Sequence, residues 1–261
     1  MMMKKDAIRQ IVNLVALAAT VVINGLATSL PLNGQTTGEI SDRFDVFFVP
    51  AGYVFSIWGL IYLGLTAFGI YQALPAQREN PRLRSIGYLF AVSSIANVAW
   101  IFLWHYEVFP LTLVAMVILL VSLIAIYLRL DIGRVKVSSA ERWFVDLPFS
   151  IYLGWITVAT IANATSLLDY LNWNGWGISP EIWTLIMLFA ASVIASAVSL
   201  TRGDVAYMLV IVWAFAGIAV KHQATPMVAW GAWISAALVA IVLVLGYLSK
   251  QRRENVMVPN V

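Results

Sequence analysis

Three segments of the sequence carry aromatic and amide side chains at intervals of three and four residues. In a helix, such spacing puts the side chains on one face. The residues are Phe55, Trp58 and Tyr62 in the first segment, Asn97, Trp100 and Trp104 in the second, and Tyr152, Trp155, Ala159 and Asn163 in the third. Aromatic rings offer flat apolar surfaces, and amides can orient the polar edge of a ligand. In a membrane helix such a stripe faces lipid, a neighbouring helix or an enclosed flat ligand, and three similar stripes favour a shared interior over lipid. Asn97 could equally contact a ligand or tie two helices together.

Two histidines are candidate ligands for the iron of a haem. His105 follows the second segment, and His222 follows Lys221 near the end of a later apolar run. An imidazole can bind haem iron, but histidines at helix ends are more often simply hydrated. The chain has no cysteine, which excludes disulfides and thiolate metal sites. It also lacks a phosphate loop, a zinc motif and a Gly-x-Ser-x-Gly sequence, so we expect neither catalytic residues nor a required cofactor.

The composition is that of a membrane protein. The 261 residues are 61% hydrophobic and only 11% charged, and the mean hydropathy is +0.86. A soluble domain carries about 25% charged residues. The net charge is +3, but the basic residues are scattered between apolar runs, so we expect a lipid bilayer rather than nucleic acid as the partner.

We predict an all-α polytopic membrane protein with eight transmembrane helices. The sequence contains eight apolar runs of about the length that a bilayer requires. They cover residues 9–30, 52–73, 86–104, 109–129, 144–166, 181–200, 205–221 and 227–248. Prolines and turns with charged residues or glycine separate the runs. In the sixth run two rows of small residues, Ala191-Ala195-Ser199 and Ser192-Ser196, would suit close packing within the chain or in a homodimer.

Lysine and arginine are distributed unevenly between the two sides that eight spans define. One side would carry fourteen of the sixteen: Lys4, Lys5, Arg9, Arg78, Arg82, Arg84, Arg129, Arg134, Lys136, Arg142, Arg202, Lys250, Arg252 and Arg253. The other side would carry Arg43 and Lys221. Because basic loops stay in the cytoplasm, the pattern predicts a protein of the plasma or inner membrane with both termini, and the tail 251–261, in the cytoplasm.

The first run could also be a signal peptide, since Lys4, Lys5 and Arg9 precede it and Gly25-Leu26-Ala27 offers a cleavage region. Against this, the run carries a polar stripe. The stripe consists of Asn13, Thr20, Asn24 and Thr28. A packed helix needs such a stripe and a disposable segment does not, so we favour a retained helix.

Two groups of charged residues have simple explanations. The loop 31–49 contains Glu39, Asp42 and Asp45, but their spacing does not fit a calcium loop, so we expect an acidic loop anchored by interfacial phenylalanines that could cover the bundle. Asp146 lies four residues after Arg142. Residues four apart are neighbours on a helix, so we expect these two to form an ion pair.

The aromatic segments resemble the tryptophan-rich sensory proteins, also called the translocator protein (TspO/MBR) family. Residues 50–65 are similar to the family's second helix, P-P-x-x-V-F-x-x-V-W-x-x-L-Y, although Ala51 replaces the second proline and the Phe-to-Trp spacing is one residue shorter. Residues 97–100, Asn-Val-Ala-Trp, resemble the N-x-x-W of the third helix. Residues 152–163 resemble P-Y-x-x-W-x-x-F-A-x-x-L-N, with Ile151 in place of the proline.

The resemblance implies a five-helix transmembrane bundle over residues 1–170, which leaves a three-helix extension, 171–250, outside the family pattern. It also implies that the aromatic segments bind a tetrapyrrole, such as a porphyrin or haem, or a sterol-like lipid, and that the protein senses or translocates this ligand. Two alternatives stay open from the residues themselves. One is a small secondary transporter, and the other is an assembly or regulatory subunit whose aromatic residues serve only in packing.

Overall fold

The computed structural model describes residues 2–30 and 32–256, with side chains described for residues 5–30 and 32–249. Pro31 and residues 257–261 lie outside the described residues. Eight long helices follow one another, and no strand occurs in the described part of the chain. They are α1 (Met2–Ser29), α2 (Ile57–Ala73), α3 (Leu89–His105), α4 (Phe109–Arg129), α5 (Leu147–Tyr170), α6 (Pro180–Arg202), α7 (Val205–Lys221) and α8 (Pro226–Val256).

The helices have the lengths and surfaces of membrane spans. Six of them, with the turns that extend α2 and α5, are long and apolar enough to cross a bilayer, while α3 and α7 have 17 residues each, the lower end of the usual range. Large apolar side chains point outward: Leu63 is 69% exposed and Phe189 is 70% exposed. Polar side chains such as Asn97 and Asn163 are buried instead. The protein is therefore an all-helical polytopic membrane protein, as predicted.

Helix ends follow the local sequence closely. Pro180 and Pro226 occupy the first positions of α6 and α8, where a missing N–H costs nothing. α6 ends at Arg202, and the next residue, Gly203, has a φ of +60°, the left-handed conformation that glycine adopts without strain. The carboxylate of Asp204 then caps α7 by accepting from the N–H of Tyr207. The short turn between α6 and α7 therefore comes directly from its sequence.

The predicted Arg142–Asp146 ion pair is wrong. Residues 142–146 form a π-turn at the start of α5, in which the N–H of Leu147 reaches back five residues to the carbonyl of Arg142. A π-turn holds more residues per turn than an α-helix, so positions four apart no longer align. Asp146 instead faces Arg82 in the short helix Pro81–Ile86, and the Asp146 Oδ1–Arg82 Nη2 distance is 2.8 Å.

The first five helices form a closed ring, in which α1 packs against α2 and α3, α4 packs against α3 and α5, and α5 returns to α2. α7 lies on the outside of α5, and α8 connects α7 to α6. The approach of α7 to α5 is close, because a Cβ added to Gly154 would lie 3.1 Å from the carbonyl oxygen of Tyr207. The row Ala191-Ala195-Ser199 is buried and packs on α8, where Ser199 donates to the carbonyl of Val242 at 3.1 Å.

α1 is part of this ring through its polar stripe. Asn13, Thr20 and Asn24 are each at least 95% buried. The amide of Asn24 donates to Oδ1 of Asn97 on α3 at 2.7 Å. The polar residues of α1 therefore face its neighbours, which is the arrangement expected of a packed helix.

The two ends of the bundle differ in charge in the predicted way. At the end where α1 begins, Arg9 donates to the carbonyl of Arg78 at 3.0 Å, so the start of α1 meets the turn after α2. At the opposite end Lys221 pairs with Asp42, and Arg43 pairs with Glu107. The side chains of Lys4, Lys250, Arg252 and Arg253 lie outside the described residues.

Candidate functional site

A small cavity of about 50 Å³ lies inside the five-helix ring, between the start of α2, the C-terminal half of α3 and the middle of α5. Seven of the ten residues predicted from the aromatic segments line it. They are Phe55, Trp58, Trp100, Trp104, Trp155, Ala159 and Asn163. Met116 of α4, Thr37 and Ser166 complete much of the wall. The structure thus brings together residues that are more than a hundred positions apart in the chain.

The aromatic rings of the cavity contact one another in two sets. On α3, the indoles of Trp100 and Trp104 stack with centroids 5.2 Å apart and planes at 18°. Across the cavity, Trp155 meets Trp58 at 6.1 Å and Phe55 at 5.7 Å, both edge to face. Such arrangements are favourable for aromatic pairs and leave flat ring surfaces as walls.

Two of the three buried indole N–H groups on α3 and α5 have partners in the protein. Trp100 Nε1 donates to Asn163 Oδ1 at 3.0 Å, and the Asn163 amide donates in turn to the hydroxyl of Thr112 at 2.9 Å. Trp104 Nε1 donates to the carbonyl of Thr37 at 3.2 Å. The side chain of Asn163 is therefore held in one orientation by hydrogen bonds to α3 and α4.

Trp155 differs from these two. Its side chain is 2% exposed, and its Nε1 has no hydrogen-bond partner among the described residues. A buried donor without an acceptor costs about 1–3 kcal/mol, and native structures contain few of them. Because Trp155 lines the cavity, this unpaired N–H is a chemical feature that a ligand could satisfy.

The other three predicted residues lie beside the cavity and not in its wall. Asn97 accepts from Asn24 and donates to the hydroxyl of Tyr152 at 3.0 Å, so it joins α1, α3 and α5. Tyr62 stacks on Trp58 with centroids 5.4 Å apart, and Trp58 also meets Tyr152 edge to face. These three residues contact wall residues or neighbouring helices without lining the cavity. Asn97 ties helices together, which was the alternative to ligand contact.

The cavity is covered by residues 32–50, which we call the lid. Within it, Thr36 and Glu39 cap the short helix Thr37–Ser41 reciprocally, and the hydrogen bond from the Thr36 backbone lowers the pKa of Glu39. Asn33 donates to the carbonyl of His105 at 3.0 Å, and Ile40 is fully buried. The long loop is therefore ordered by its own sequence and by the end of α3.

Glu39 and Asp42, two acidic residues of the lid, have different partners and form no common site. The carboxylate of Glu39 accepts from the N–H of Thr36, and Asp42 pairs with Lys221 at 2.6 Å. No group of three metal-binding side chains occurs among the described residues. The lid is a capped, ion-paired segment.

Neither histidine lines the cavity. His105 is 1% exposed, and its two ring nitrogens lie 2.8 Å from the carbonyl of Ile101 and 3.4 Å from the hydroxyl of Thr37. His222 Nε2 lies 3.3 Å from the carbonyl of Val49, and its ring meets Phe47 edge to face. Both imidazoles therefore hold the lid to helix ends.

Several residues of the site had no signal in the aromatic segments. Thr37 and Ser41 enter the wall from the lid, and Met116 enters from α4, a helix whose sequence is almost uniformly apolar. The polar stripe of α1 predicted that this helix packs against neighbours, but not that Asn24 would pair with Asn97 on α3.

Comparison with known proteins agrees with the resemblance. A family model described as TSPO-like protein matches residues 10–245. The match runs through the last three helices, so the expectation that these helices lie outside the family pattern is corrected. No curated protein and no solved structure matches the chain significantly. Since the family model covers most of the sequence and all three aromatic segments, the chain belongs to the family of TSPO-like proteins.

Proposed function

We propose that this protein binds a flat hydrophobic ligand, a tetrapyrrole or a sterol-like lipid, in the cavity under the lid. The observation that carries the proposal is the buried, unpaired N–H of Trp155, a residue of the cavity wall. An acceptor atom on a ligand would satisfy this donor. The indoles of Trp58, Trp100 and Trp104 supply apolar ring surfaces on which a flat molecule would stack.

Loading such a ligand requires the site to open. A cavity of about 50 Å³ holds only a few water molecules, since one water needs roughly 10–15 Å³. The lid is held at its surface by the Arg43–Glu107 and Lys221–Asp42 pairs, in which the carboxylates are 40% and 64% exposed. Exposed pairs contribute about 0–1 kcal/mol each, so these two pairs add little to the cost of displacing the lid. Most of that cost lies in its buried contacts, such as those of Ile40 and Asn33.

The proposed ligand is held by stacking and one hydrogen bond. Both nitrogens of His105 already have oxygen neighbours, so axial ligation of iron there would break contacts that fix the lid. The protein's own part in this proposal is to bind, orient and exclude water. We assign no catalytic step to it.

The experiment is a titration of the purified full-length protein with metal-free protoporphyrin IX, followed by the absorbance and fluorescence of the porphyrin. Trp155→Phe keeps an aromatic ring but removes the N–H, and we expect affinity to fall about two- to tenfold, the equivalent of one hydrogen bond. Trp155→Leu also removes the ring, and we expect a total loss of about tenfold or more. A fluorescent sterol titrated in the same way tests the second ligand class.

The matched control is Trp230→Leu, because Trp230 is 67% exposed on α8 and lines no described cavity. It should bind as the wild type does. Equal losses at Trp155 and Trp230 would mean that the porphyrin partitions into detergent around the protein, and the proposal would fail. Uptake of the ligand into sealed vesicles would separate a transporter from a sensor or receptor.

The proposal includes the setting of the protein. We place it in the plasma or inner membrane with both termini in the cytoplasm, on the basis of the fourteen basic residues at that end. A homodimer formed through α6 would use its second row of small residues, Ser192 and Ser196, since the first row packs on α8 within the chain.

A further inference from the structure

A second and larger cavity, of about 250 Å³, lies at the end of the bundle opposite the N-terminus. We call it the tryptophan pocket. It is enclosed by the last residues of the lid, the end of α5, the turn that follows α5 and the start of α6. The wall residues that matter here are Asp45, Phe48, Asp169, Trp173, Trp183 and Met187. None of the ten residues predicted from the aromatic segments belongs to it.

Indole rings form one side of the tryptophan pocket. Trp173 meets Trp183 at 5.2 Å and Trp176 at 5.3 Å, and Trp176 meets Trp183 at 5.9 Å. Trp183 Nε1 donates to the carbonyl of Gly175 at 2.9 Å, which ties the turn to α6. Gly175 has a φ of +62°, so the turn depends on a conformation that glycine adopts readily. Trp173 and Trp183 line the pocket, whereas Trp176 is 75% exposed and contacts both rings from outside the lining.

Carboxylates form the other side. Asp45 and Asp169 both line the pocket, and they adjoin each other, because the N–H of Asp45 donates to Asp169 Oδ2 at 3.3 Å. No lysine or arginine lines it. The two basic residues at this end of the described chain are engaged elsewhere, Arg43 with Glu107 and Lys221 with Asp42. The pocket therefore combines two carboxylates with aromatic walls and contains no balancing cation.

We propose that the tryptophan pocket binds an organic ammonium cation. A cation is attracted to the face of an indole and to a carboxylate, while its alkyl groups bury against rings and methionine. A divalent metal ion would need about six oxygen ligands, which aromatic walls do not supply. A neutral apolar molecule would gain no attraction from the two carboxylates, of which Asp45 is exposed and Asp169 half-buried. The ammonium group could belong to a free amine or to a choline headgroup of a lipid, since both present the same chemistry.

The experiment compares two ligands of the same shape. Choline carries a trimethylammonium group, and 3,3-dimethylbutan-1-ol is its uncharged counterpart. Each is titrated into the full-length protein in detergent by calorimetry, with ionic strength held constant by sodium chloride. We expect choline to bind saturably and the alcohol to bind at least about tenfold more weakly, as loss of the cationic contacts requires. Equal binding of the two, or no saturable binding of choline, would overturn the proposal.

Variants locate the binding. Asp169→Asn and Trp173→Leu should each weaken choline binding by about three- to thirtyfold. Should Asp169→Asn fail to fold, Asp45→Asn replaces it, because Asp45 is exposed and its structural contact is made by its backbone. Glu79→Gln, which removes one negative charge at the opposite end of the bundle, is the control and should leave choline affinity unchanged. Wild-type affinity in both aspartate variants would contradict the assignment.

A competition distinguishes the two sources of the cation. Short-chain phosphatidylcholine and short-chain phosphatidylglycerol are added at equal concentration before choline. Displacement by phosphatidylcholine alone would assign the pocket to a lipid headgroup, and displacement by neither would assign it to a free amine. Displacement by phosphatidylglycerol to the same extent would mean that the pocket takes acyl chains and not cations. This pocket and the cavity under the lid share no wall residue, so the porphyrin titration is an independent experiment.

Discussion

The N–H of Ala51 donates to the carbonyl oxygen of Gly217 at 3.1 Å, and this hydrogen bond joins the turn that begins α2 to the last part of α7. Next to it, Trp213 Nε1 donates to the carbonyl of Val54 at 3.3 Å. Residues 52–56 form a 3₁₀ turn whose N-cap, Ala51, makes no side-chain cap, so these two hydrogen bonds to α7 anchor the turn instead. α7 therefore stabilises the segment that carries Phe55 into the cavity.

Gly217→Ala should destabilise this junction. A Cβ at position 217 would lie 2.3 Å from Cγ2 of Val54 and 3.0 Å from Cβ of Pro50, both on stiff side chains. Overpacking of this kind costs about 1–3 kcal/mol, which outweighs the gain of about 1 kcal/mol from replacing a helical glycine. We expect a lower thermal unfolding temperature and weaker porphyrin binding.

The control is Gly59→Ala on α2, where a Cβ meets no atom within 4 Å. This variant should be neutral or slightly stabilised, by up to about 1 kcal/mol. If Gly217→Ala unfolds at the same temperature as Gly59→Ala, α7 does not press on the start of α2, and the role given to it here is wrong.

The helices could be predicted well from the sequence because lipid imposes a simple pattern on it. The predicted runs 109–129 and 205–221 coincide with α4 and α7, and the proline that ends each preceding turn marks the start of α6 and α8. Aromatic spacing also identified seven of the fifteen residues in the cavity wall, since residues three and four apart share a helix face.

Contacts between helices could not be predicted in the same way. Periodicity gives the face of a helix but not the neighbour that it meets, so the Asn24–Asn97 and Ala51–Gly217 contacts were not evident. The predicted pairing of Asp146 with Arg142 failed because a single π-turn changes the alignment of the face, and the sequence of residues 142–146 carries no signal for such a turn.

Asn97→Leu should lower stability more than it changes ligand affinity. The substitution would leave the amide of Asn24 and the hydroxyl of Tyr152 without their buried partner. Hydrogen bonds between membrane helices contribute about 0.6–2 kcal/mol each, so we expect a loss of about 1–3 kcal/mol in the free energy of unfolding. Denaturation in mixed detergent micelles measures it.

Ser93→Ala provides the comparison, because Ser93 is equally buried one turn earlier on α3 but bonds only to its own helix, at Phe90. We expect its loss to stay below about 1 kcal/mol. A loss for Asn97→Leu no larger than that for Ser93→Ala would show that the α1–α3–α5 network contributes little to stability.

Acidification should loosen the lid through His222. Burial of the ring, together with the adjacent charge of Lys221, lowers the pKa of His222 below 6.5, while its hydrogen bond to the Val49 carbonyl opposes the shift. A lowered pKa means that the ring binds a proton more weakly in the folded lid than after release from it. Burial of the neutral ring against the lid is therefore fully stabilising above the unfolded pKa, and this stabilisation is progressively lost as the pH falls through 6.5 towards the folded value.

Hydrogen exchange of the lid measures this effect. Peptides from residues 32–50 should exchange faster, relative to their intrinsic rates, at about pH 5.5 than at about pH 7.5. His222→Gln keeps a donor for the Val49 carbonyl and cannot titrate, so its lid should show no such change. Lys221 and Asp42 form an ion pair beside the ring, and Lys221→Met checks that the effect does not come from them. A pH response that persists in His222→Gln would assign it elsewhere.

The last prediction concerns how the chain between Gln35 and Ser138 crosses the membrane and which end of the bundle faces outward. Single cysteines at Gln35 in the lid and at Ser138 before α5 can be introduced without background, because the chain has no cysteine. Three helices, α2, α3 and α4, separate the two positions, so they should lie on opposite sides of the membrane. In intact cells an impermeant maleimide should label Gln35→Cys, and it should label Ser138→Cys only after permeabilisation. Reversed labelling would mean that the basic end faces outward, against the positive-inside rule. Labelling of both from one side would mean that one of the three helices does not cross, and α3, with 17 residues, would be the first to re-examine.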